Sequence, residues 1–209
     1  NINPQRCANC SAILISTVAG ARRGIQTQGS PSSPPPTATA DTPPQQTEPT
    51  AHALTAHKDH SRDAYIVSVA RTPNGRHRGK LTDFSATELG SIAIRAAIER
   101  SGIDPRLINS AIIGNVLSAN LGQAPARRAV LGAGLPVSVV CTTVNKVCSS
   151  GLKAVSFGMD SIQLGHSDVI VVGGMESMTN VPFYVKKPKE KQSKEEVLKH
   201  ATLIDGMVY

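Results

Sequence analysis

The sequence predicts a layered α/β domain with a mostly parallel central sheet covered by helices, preceded by a disordered leader. Short apolar segments rich in β-branched residues alternate with segments whose apolar residues recur at intervals of three and four. One predicted strand, residues 168–173, is almost wholly apolar, as expected when helices cover both faces of a sheet. Aromatic residues make up only 3% of the 209 residues and Trp is absent, so the core must be aliphatic and closely packed.

Residues 1–61 have the composition of a disordered leader. No acidic residue occurs in residues 1–40, whereas Arg6, Arg22 and Arg23 are present, which is a bias typical of mitochondrial transit peptides. The stretch that follows, residues 30–50, is rich in Pro and Thr and has little to bury, which predicts a disordered linker. We therefore expect a protein of the mitochondrial matrix, with its folded domain over residues 62–181.

The domain is predicted to begin with a buried strand over residues 65–70, followed by a loop. Ser85 and Glu88 form a capping box that starts a helix, and Gly102 is well placed to end it after Ser101. The polar stripe of this helix is predicted to be Glu88, Ser91, Arg95 and Glu99, which leaves Leu89, Ile92, Ala93 and Ala96 for the core.

The remaining elements continue the alternation of strands and helices. Asp104 and Pro105 predict a short helical turn, and Pro125 predicts the start of a helix that ends at Leu131. The other predicted elements are a strand at 111–114, a strand at 137–144, a helix that stops near Gly165 and a strand at 168–173. Residues 182–209 form a separate segment, because the Lys- and Glu-rich run at 186–199 is typical of a solvated loop or surface helix.

Cys148 lies where the strand at 137–144 gives way to a helix. Ser149, Ser150 and Gly151 follow it and are small enough for a tight turn. A thiol at the start of a helix meets unpaired backbone N–H groups and the positive end of the helix dipole, which favour the nucleophilic thiolate. The spacing alone leaves two interpretations open, a catalytic nucleophile and a buried structural cysteine.

Composition argues against several other classes of function. The net charge is +7, but the basic residues are scattered and no aromatic platforms accompany them, so we expect no nucleic-acid partner. Cys7 and Cys10 form a lone pair without two further ligands, so we expect no metal site. No apolar run reaches the roughly 18 residues of a membrane span. The four cysteines lack the spacing of a disulfide framework, which favours a reducing compartment.

Residues 144–154, Val-Asn-Lys-Val-Cys-Ser-Ser-Gly-Leu-Lys-Ala, resemble the active-site signature of the thiolase family, in which the cysteine takes up the acyl group. Four further segments match the family in the same order along the chain, and together they are more specific than any one of them. These segments are residues 69–73, 114–117, 122–127 and 173–178. The resemblance covers residues 64–209 and is greatest to the mitochondrial type of acetyl-CoA acetyltransferase.

The resemblance implies that Cys148 is the catalytic nucleophile. The expected reaction joins two molecules of acetyl-CoA into acetoacetyl-CoA and coenzyme A, or runs in reverse, with the backbone N–H of Cys148 donating to the oxyanion. No cofactor is implied beyond the coenzyme A thioesters, and a homo-oligomer, a dimer or tetramer, is expected. Two alternatives stay open: a degradative 3-ketoacyl-CoA thiolase of longer chains, and a non-catalytic half-thiolase that acts in assembly.

The family also uses a histidine in a Gly-His-Pro motif, an asparagine in Asn-Glu-Ala-Phe and a second cysteine in Cys-x-Gly. None of these motifs occurs in the chain, and His166 and His200 lack the required neighbours. The thiolase fold has two similar halves, and residues 182–209 resemble the start of its loop domain. We therefore expect a fragment, or a truncated protein, that holds the N-terminal half and is inactive alone.

Overall fold

A computed structural model describes residues 9–18, 62–187, 193–200 and 202–207. Its strands are β1 (Asn9–Val18), β2 (Ala64–Arg71), β3 (Ser110–Gly114), β4 (Val140–Val144), β5 (Val169–Ser177), β6 (Phe183–Tyr184) and β7 (Ile204–Asp205). Its helices are α1 (Ala86–Ser101), α2 (Pro125–Gly132), α3 (Ser150–Gln163) and α4 (Lys194–His200). Short 3-10 turns occur at Pro105–Leu107 and Met178–Asn180.

The first five strands form one sheet in the order β2-β1-β5-β3-β4. β3 pairs in parallel with both β4 and β5, whereas β1 pairs antiparallel with both β2 and β5. Four of the five strands therefore run in one direction, which agrees with the predicted mostly parallel sheet. β6 and β7 form a separate antiparallel pair.

β1 is the point at which the structure differs from the predicted leader. Asn9–Val18 lie between β2 and β5, with Val18 opposite Ala64 and Asn9 opposite Ser177. The reason is local: residues 12–15 are Ala-Ile-Leu-Ile, an apolar run with the strand preference that β-branched residues confer. β1 falls within the segment 1–40 that has the transit-peptide composition, so a disordered leader is wrong for Asn9–Val18. Residues 1–8 and 19–61 lie outside the described residues, where the leader and the linker stay predictions.

Helices pack on both faces of the sheet. β5 shows this by alternation, since Val171 belongs to the core beneath α1 and α2, whereas Ile170 and Val172 pack with Ile162 of α3. All four of these side chains are buried almost completely. The larger of the two cores is built from small aliphatic residues, including Ala93, Ala97, Ala111, Ala126 and Ala129. The core is thus aliphatic and closely packed, as the composition predicts.

The ends of α1 confirm the sequence prediction. Ser85 accepts a hydrogen bond from the Glu88 N–H, the Glu88 carboxylate accepts one from the Ser85 N–H, and Gly102 ends the helix in the left-handed conformation at φ 65°. The predicted division of α1 into a polar, exposed face and an apolar, buried face is wrong at two positions. Ser91 is buried because its Oγ donates to the carbonyls of Thr87 and Ala129, and Ile92 is 44% exposed.

The other predicted elements are found within a few residues of their expected bounds. The strand predicted at 65–70 is found as β2, but it is not buried as predicted: it lies at the edge of the sheet, and Ile66 and Val69 are 60% and 55% exposed. The turn at Pro105–Leu107 is capped by Asp104, which accepts from the Arg106 N–H, and α2 begins at Pro125. β5 is longer than predicted and continues through Gly174 to Ser177. In the Lys-rich segment the described residues include the short surface helix α4. No helix in the described part of the chain is both long and apolar enough to cross a bilayer.

Candidate active site

The site lies beyond the carboxyl ends of the three parallel strands. β3 ends at Gly114, β4 at Val144 and β5 at Ser177, and the register places Gly114 opposite both Val144 and Gly174. The ends of parallel strands share one edge of the sheet, and ligands of open α/β sheets bind in crevices there. The segments that follow the three strands therefore converge on one region.

Cys148 lies in the turn between β4 and α3, two residues before the first residue of the helix. The structure thus confirms the strand-to-helix junction that the sequence predicts, and the thiol is exposed. Ser149 precedes the helix without making a side-chain capping bond. The positive end of the α3 dipole therefore lies beside the thiol with no side-chain cap from Ser149.

The residue before the thiol has an unusual backbone conformation. Val147 has φ 48°, in the left-handed region that β-branched residues strongly disfavour. Three side-chain hydrogen bonds hold this turn, in addition to backbone bonds from Ser149 and Ser150. Asn145 Oδ1 accepts from the Val147 N–H at 3.0 Å, Ser150 Oγ donates to the Val147 carbonyl at 2.6 Å, and Ser150 Oγ accepts from the Lys146 N–H at 2.8 Å. Asn145 and Ser150 thus fix the backbone immediately before Cys148.

Three glycines lie where the start of α3 approaches the sheet. A Cβ atom on Gly114 would lie 2.4 Å from the Ser150 carbonyl carbon and 2.6 Å from the Gly151 nitrogen. A Cβ atom on Gly174 would lie 3.1 Å from the Gly151 Cα. Gly151 itself faces the backbone of β5, and a Cβ atom on it would lie 3.4 Å from the Gly174 nitrogen. Gly114 and Gly174 therefore set how closely the helix packs against β3 and β5, whereas a Cβ atom on Gly151 would make ordinary van der Waals contact.

Glu176 carries a half-buried carboxylate next to this contact. Oε1 accepts from Asn115 Nδ2 at 2.9 Å, and Oε2 accepts from the N–H groups of Val116 at 3.0 Å and Leu117 at 3.4 Å. Burial raises the pKa of Glu176, while its N–H donors, including that of Ser177, act in the opposite direction. The carboxylate therefore orders the turn that follows β3.

A cavity of about 690 Å³ opens beside these residues. Apart from Asn115, Cys148, Ser150 and Glu176, its walls are apolar or glycine. The other residues that line it are Gly114, Val116, Leu117, Val147, Gly151, Leu152, Val155, Gly173, Gly174, Met175, Met178 and Met207. A single thiol in a largely apolar cavity of this volume suits a small molecule with an apolar reacting end.

Cys141 has a different environment, although it lies only seven residues before Cys148. It sits within β4, half-buried, with its Sγ donating to the Val139 carbonyl at 3.4 Å. Burial raises the pKa of the Cys141 thiol, against a smaller opposing effect of Arg127. A raised pKa lowers the thiolate fraction, so packing is the role that this geometry favours for Cys141. In the described ranges no cluster of three or more His, Cys, Asp or Glu side chains is placed to hold a metal ion.

Sequence reasoning did not assign a role to Asn115 or Glu176. Asn115 is 1% exposed, and besides Glu176 its side chain contacts the Met175 carbonyl at 3.2 Å and accepts from Ser118 Oγ at 2.6 Å. A signal was available: both residues follow or end predicted parallel strands, whose carboxyl ends meet at one edge of a sheet. Polar residues at the ends of such strands are candidates for a shared site.

Comparison with known proteins identifies one family. Residues 64–209 match the family described as "Thiolase, N-terminal domain". Acetyl-CoA acetyltransferase 2 of Arabidopsis thaliana is 54% identical over 156 residues, which are 75% of this chain and 38% of that protein. The mitochondrial acetyl-CoA acetyltransferase of Homo sapiens is 53% identical over 126 residues, 60% of this chain and 30% of that protein.

Solved structures agree with this result. A thiolase from Ascaris suum, crystallised in complex with coenzyme A, aligns with a TM-score of 0.62 and 40% sequence identity. The alignment covers 69% of this chain and 36% of the Ascaris chain. This chain therefore spans about a third of the length of the proteins that it matches.

Proposed function

Since the chain belongs to the thiolase family, we propose that Cys148 accepts the acetyl group of acetyl-CoA in an acetyl-CoA C-acetyltransferase reaction. The observation that carries this proposal is the exposed thiol of Cys148, which lies at the start of α3 and lines the largely apolar cavity. The acetyltransferase names of the relatives and the coenzyme A complex of the Ascaris thiolase support the choice of substrate.

The proposed reaction has two steps. In the first, Cys148 Sγ attacks the thioester carbonyl carbon of acetyl-CoA, the bond from that carbon to the coenzyme A sulfur breaks, and coenzyme A leaves as the thiol after taking up a proton. In the second, another acetyl-CoA gives up an α-proton and its carbon attacks the acetyl group on Cys148. The bond to Sγ then breaks, which releases acetoacetyl-CoA and the free cysteine.

The described residues contribute to the first step in two ways. The backbone N–H of Cys148, in the turn before α3, is the candidate to donate to the oxygen that becomes negative as Sγ attacks. One such donor typically contributes roughly 3 kcal/mol of barrier lowering. Apolar side chains of the cavity, such as Val155, Met175 and Met178, exclude water from the acyl group.

The partners and location that we propose follow from the same family. Coenzyme A thioesters are the substrates and no other cofactor is required. A homo-oligomer is supported by exposed apolar side chains in and just before the edge strand β4: Val137 is 73% exposed and Val140 65%. The acid-free start of the chain supports the mitochondrial matrix, although the relatives include both mitochondrial and cytosolic enzymes.

Labelling tests the proposal directly. The purified full-length protein is incubated with acetyl-CoA that carries a labelled acetyl group, and peptide mass mapping locates the label. We expect it on the peptide that contains Cys148, and we expect it to vanish in Cys148→Ser, because a serine hydroxyl stays protonated at neutral pH.

Cys141→Ser is the matched control, since it makes the same atomic change seven residues away in β4. It should keep the label on Cys148 and lose at most a little stability. Acetylation that persists after Cys148→Ser would refute the proposed nucleophile, and label on Cys141 would refute the packing role given to that residue.

A further inference from the structure

We propose that Glu176 is a positioning residue for Cys148, acting through the turn 115–117 and the side chain of Asn145. The positional claim rests on hydrogen bonds alone, and its consequence for acetyl transfer rests on the proposed function. No atom of Glu176 is assigned a contact with the reacting groups. Its effect passes along a chain of hydrogen bonds from β5 to the turn that carries the thiol.

The first link joins β5 to the turn after β3. The two carboxylate oxygens accept from the Asn115 side chain and from two consecutive N–H groups, those of Val116 and Leu117. Each of these contacts uses an oxygen of Glu176 as acceptor, and an ionised carboxylate provides two such oxygens whereas an amide provides one. Among the residues that the structure describes, no side-chain cation forms an ion pair with this carboxylate. This half-buried anion therefore depends on these N–H donors, and its hydrogen bonds hold the donor groups in place.

The second link joins that turn to the nucleophile. The Val116 carbonyl accepts from Asn145 Nδ2 at 3.4 Å, and Asn145 Oδ1 accepts from the Val147 N–H at 3.0 Å. Val116 thus offers its N–H to Glu176 and its carbonyl to Asn145. Asn145 in turn holds the residue directly before Cys148.

The conformation of Val147 explains why such a chain is needed. A β-branched residue at φ 48° is strained and persists only where its surroundings fix it. Ser150 fixes Val147 from the helix side, through the carbonyl, and Asn145 fixes it from the β4 side, through the N–H. Asn145 is exposed, so its orientation depends on the Val116 carbonyl, whose own position depends on Glu176. Loss of the carboxylate should therefore loosen the thiol turn from a distance.

Hydrogen exchange of individual amides, measured by NMR at neutral pH, tests whether Val147 depends on Asn145 and Asn145 on Glu176. In Glu176→Gln an NH₂ group replaces one of the two acceptor oxygens, so in either orientation of the amide the turn 115–117 loses an acceptor, either for the Asn115 side chain or for the N–H groups of Val116 and Leu117. We expect the amides of Val116, Leu117 and Val147 to exchange about fivefold faster, the factor that corresponds to one hydrogen bond of about 1 kcal/mol. In Asn145→Ala, which removes an exposed side chain, only the Val147 amide should exchange faster.

Glu88→Gln is the matched control, because it makes the same change in another hydrogen-bonded carboxylate, at the start of α1. It should leave the amides of Val116 and Val147 unchanged. An unchanged Val147 amide in Glu176→Gln would overturn the proposal. Faster exchange throughout α1 and α3 in that variant would also overturn it, since it would show a general loss of stability.

The catalytic consequence has a separate readout. In Glu176→Gln the rate of Cys148 acetylation by acetyl-CoA should fall at least about tenfold, while alkylation of Cys148 by iodoacetamide changes less than about twofold, because a small alkylating agent needs only an exposed thiol. Equal loss of both rates would contradict a positioning role. Absence of acetylation in the unchanged protein would refute the proposed function, and the amide exchange rates would still decide whether Glu176 positions the turn.

Discussion

Replacing Gly114 by Ala should displace the start of α3 and slow acetylation of Cys148. Gly114 ends β3, and its φ is not in the left-handed region, so an alanine suits the local backbone. The added Cβ would lie 2.4 Å from the Ser150 carbonyl carbon, whereas ordinary van der Waals contact begins at 3.4 Å. The helix start must therefore move by about 1 Å, because the obstructing atoms are backbone and cannot rotate away.

Two magnitudes follow from this displacement. Overpacking of this kind typically costs about 1–3 kcal/mol of the free energy of unfolding, and the lower chain entropy of alanine in the unfolded state offsets about 0.4–1 kcal/mol of it. A misplacement of about 1 Å at a reacting group can reduce a rate about 100-fold. We expect a net stability loss of about 1–2 kcal/mol and a much larger loss in the rate of acetyl transfer to Cys148.

Gly158→Ala provides a control on the same helix with the same overlap. Its Cβ would lie 2.4 Å from Cγ1 of Val172, a side chain buried in the core beneath α3. This variant should lose comparable stability but acetylate Cys148 within about twofold of the normal rate per folded molecule. Pulse proteolysis in urea measures stability, and mass spectrometry measures acetylation. Normal acetylation in Gly114→Ala, or an equal loss in both variants, would refute the argument that Gly114 positions the thiol.

Two further predictions concern stability. Ser85→Ala removes the N-cap of α1 and should lower the free energy of unfolding by about 0.5–2 kcal/mol. The control variant Ser156→Ala, within α3, should change the free energy of unfolding little. Equal midpoints of urea unfolding for the two variants would contradict the capping role of Ser85. Burial raises the pKa of Glu176 above its ordinary value of 4.5, so the folded protein retains this proton where the unfolded chain has lost it. Its contribution to stability is therefore present below pH 4.5 and is lost as pH rises through the raised pKa. The difference in free energy of unfolding between the unchanged protein and Glu176→Gln should therefore fall as the pH rises over this range. A difference that does not change with pH would contradict the raised pKa of Glu176.

The sequence predicts the alternation of elements well because local signals mark their ends. Ser85, Glu88 and Gly102 bound α1 as expected, since capping and left-handed termination depend on residues close together in the chain. The position of Cys148 follows for the same reason, because a strand pattern and a helix pattern meet at this residue. The family resemblance then supplies its proposed role.

Features that depend on residues far away in the sequence were not predicted. Ser91 is typical of a surface residue by its chemistry, and only the Ala129 carbonyl of α2 explains its burial. Glu176 likewise gains its partners from the turn after β3, some sixty residues earlier in the chain. The place of β1 in the sheet depends on pairing with two strands that are remote in sequence, which no local pattern reports.

The position of β1 has a consequence for synthesis on the ribosome. Asn9–Val18 leave the exit tunnel long before either neighbour, and the second neighbour, β5, is complete only when Ser177 has been translated. β2 pairs with β1 and not with β5. The β1–β2 pair therefore cannot join the rest of the sheet until β5 has been synthesised. Until then an apolar strand has at least one unpaired edge, a state prone to association with other chains. Nascent chains of this protein should therefore bind holding chaperones until residue 177 has emerged.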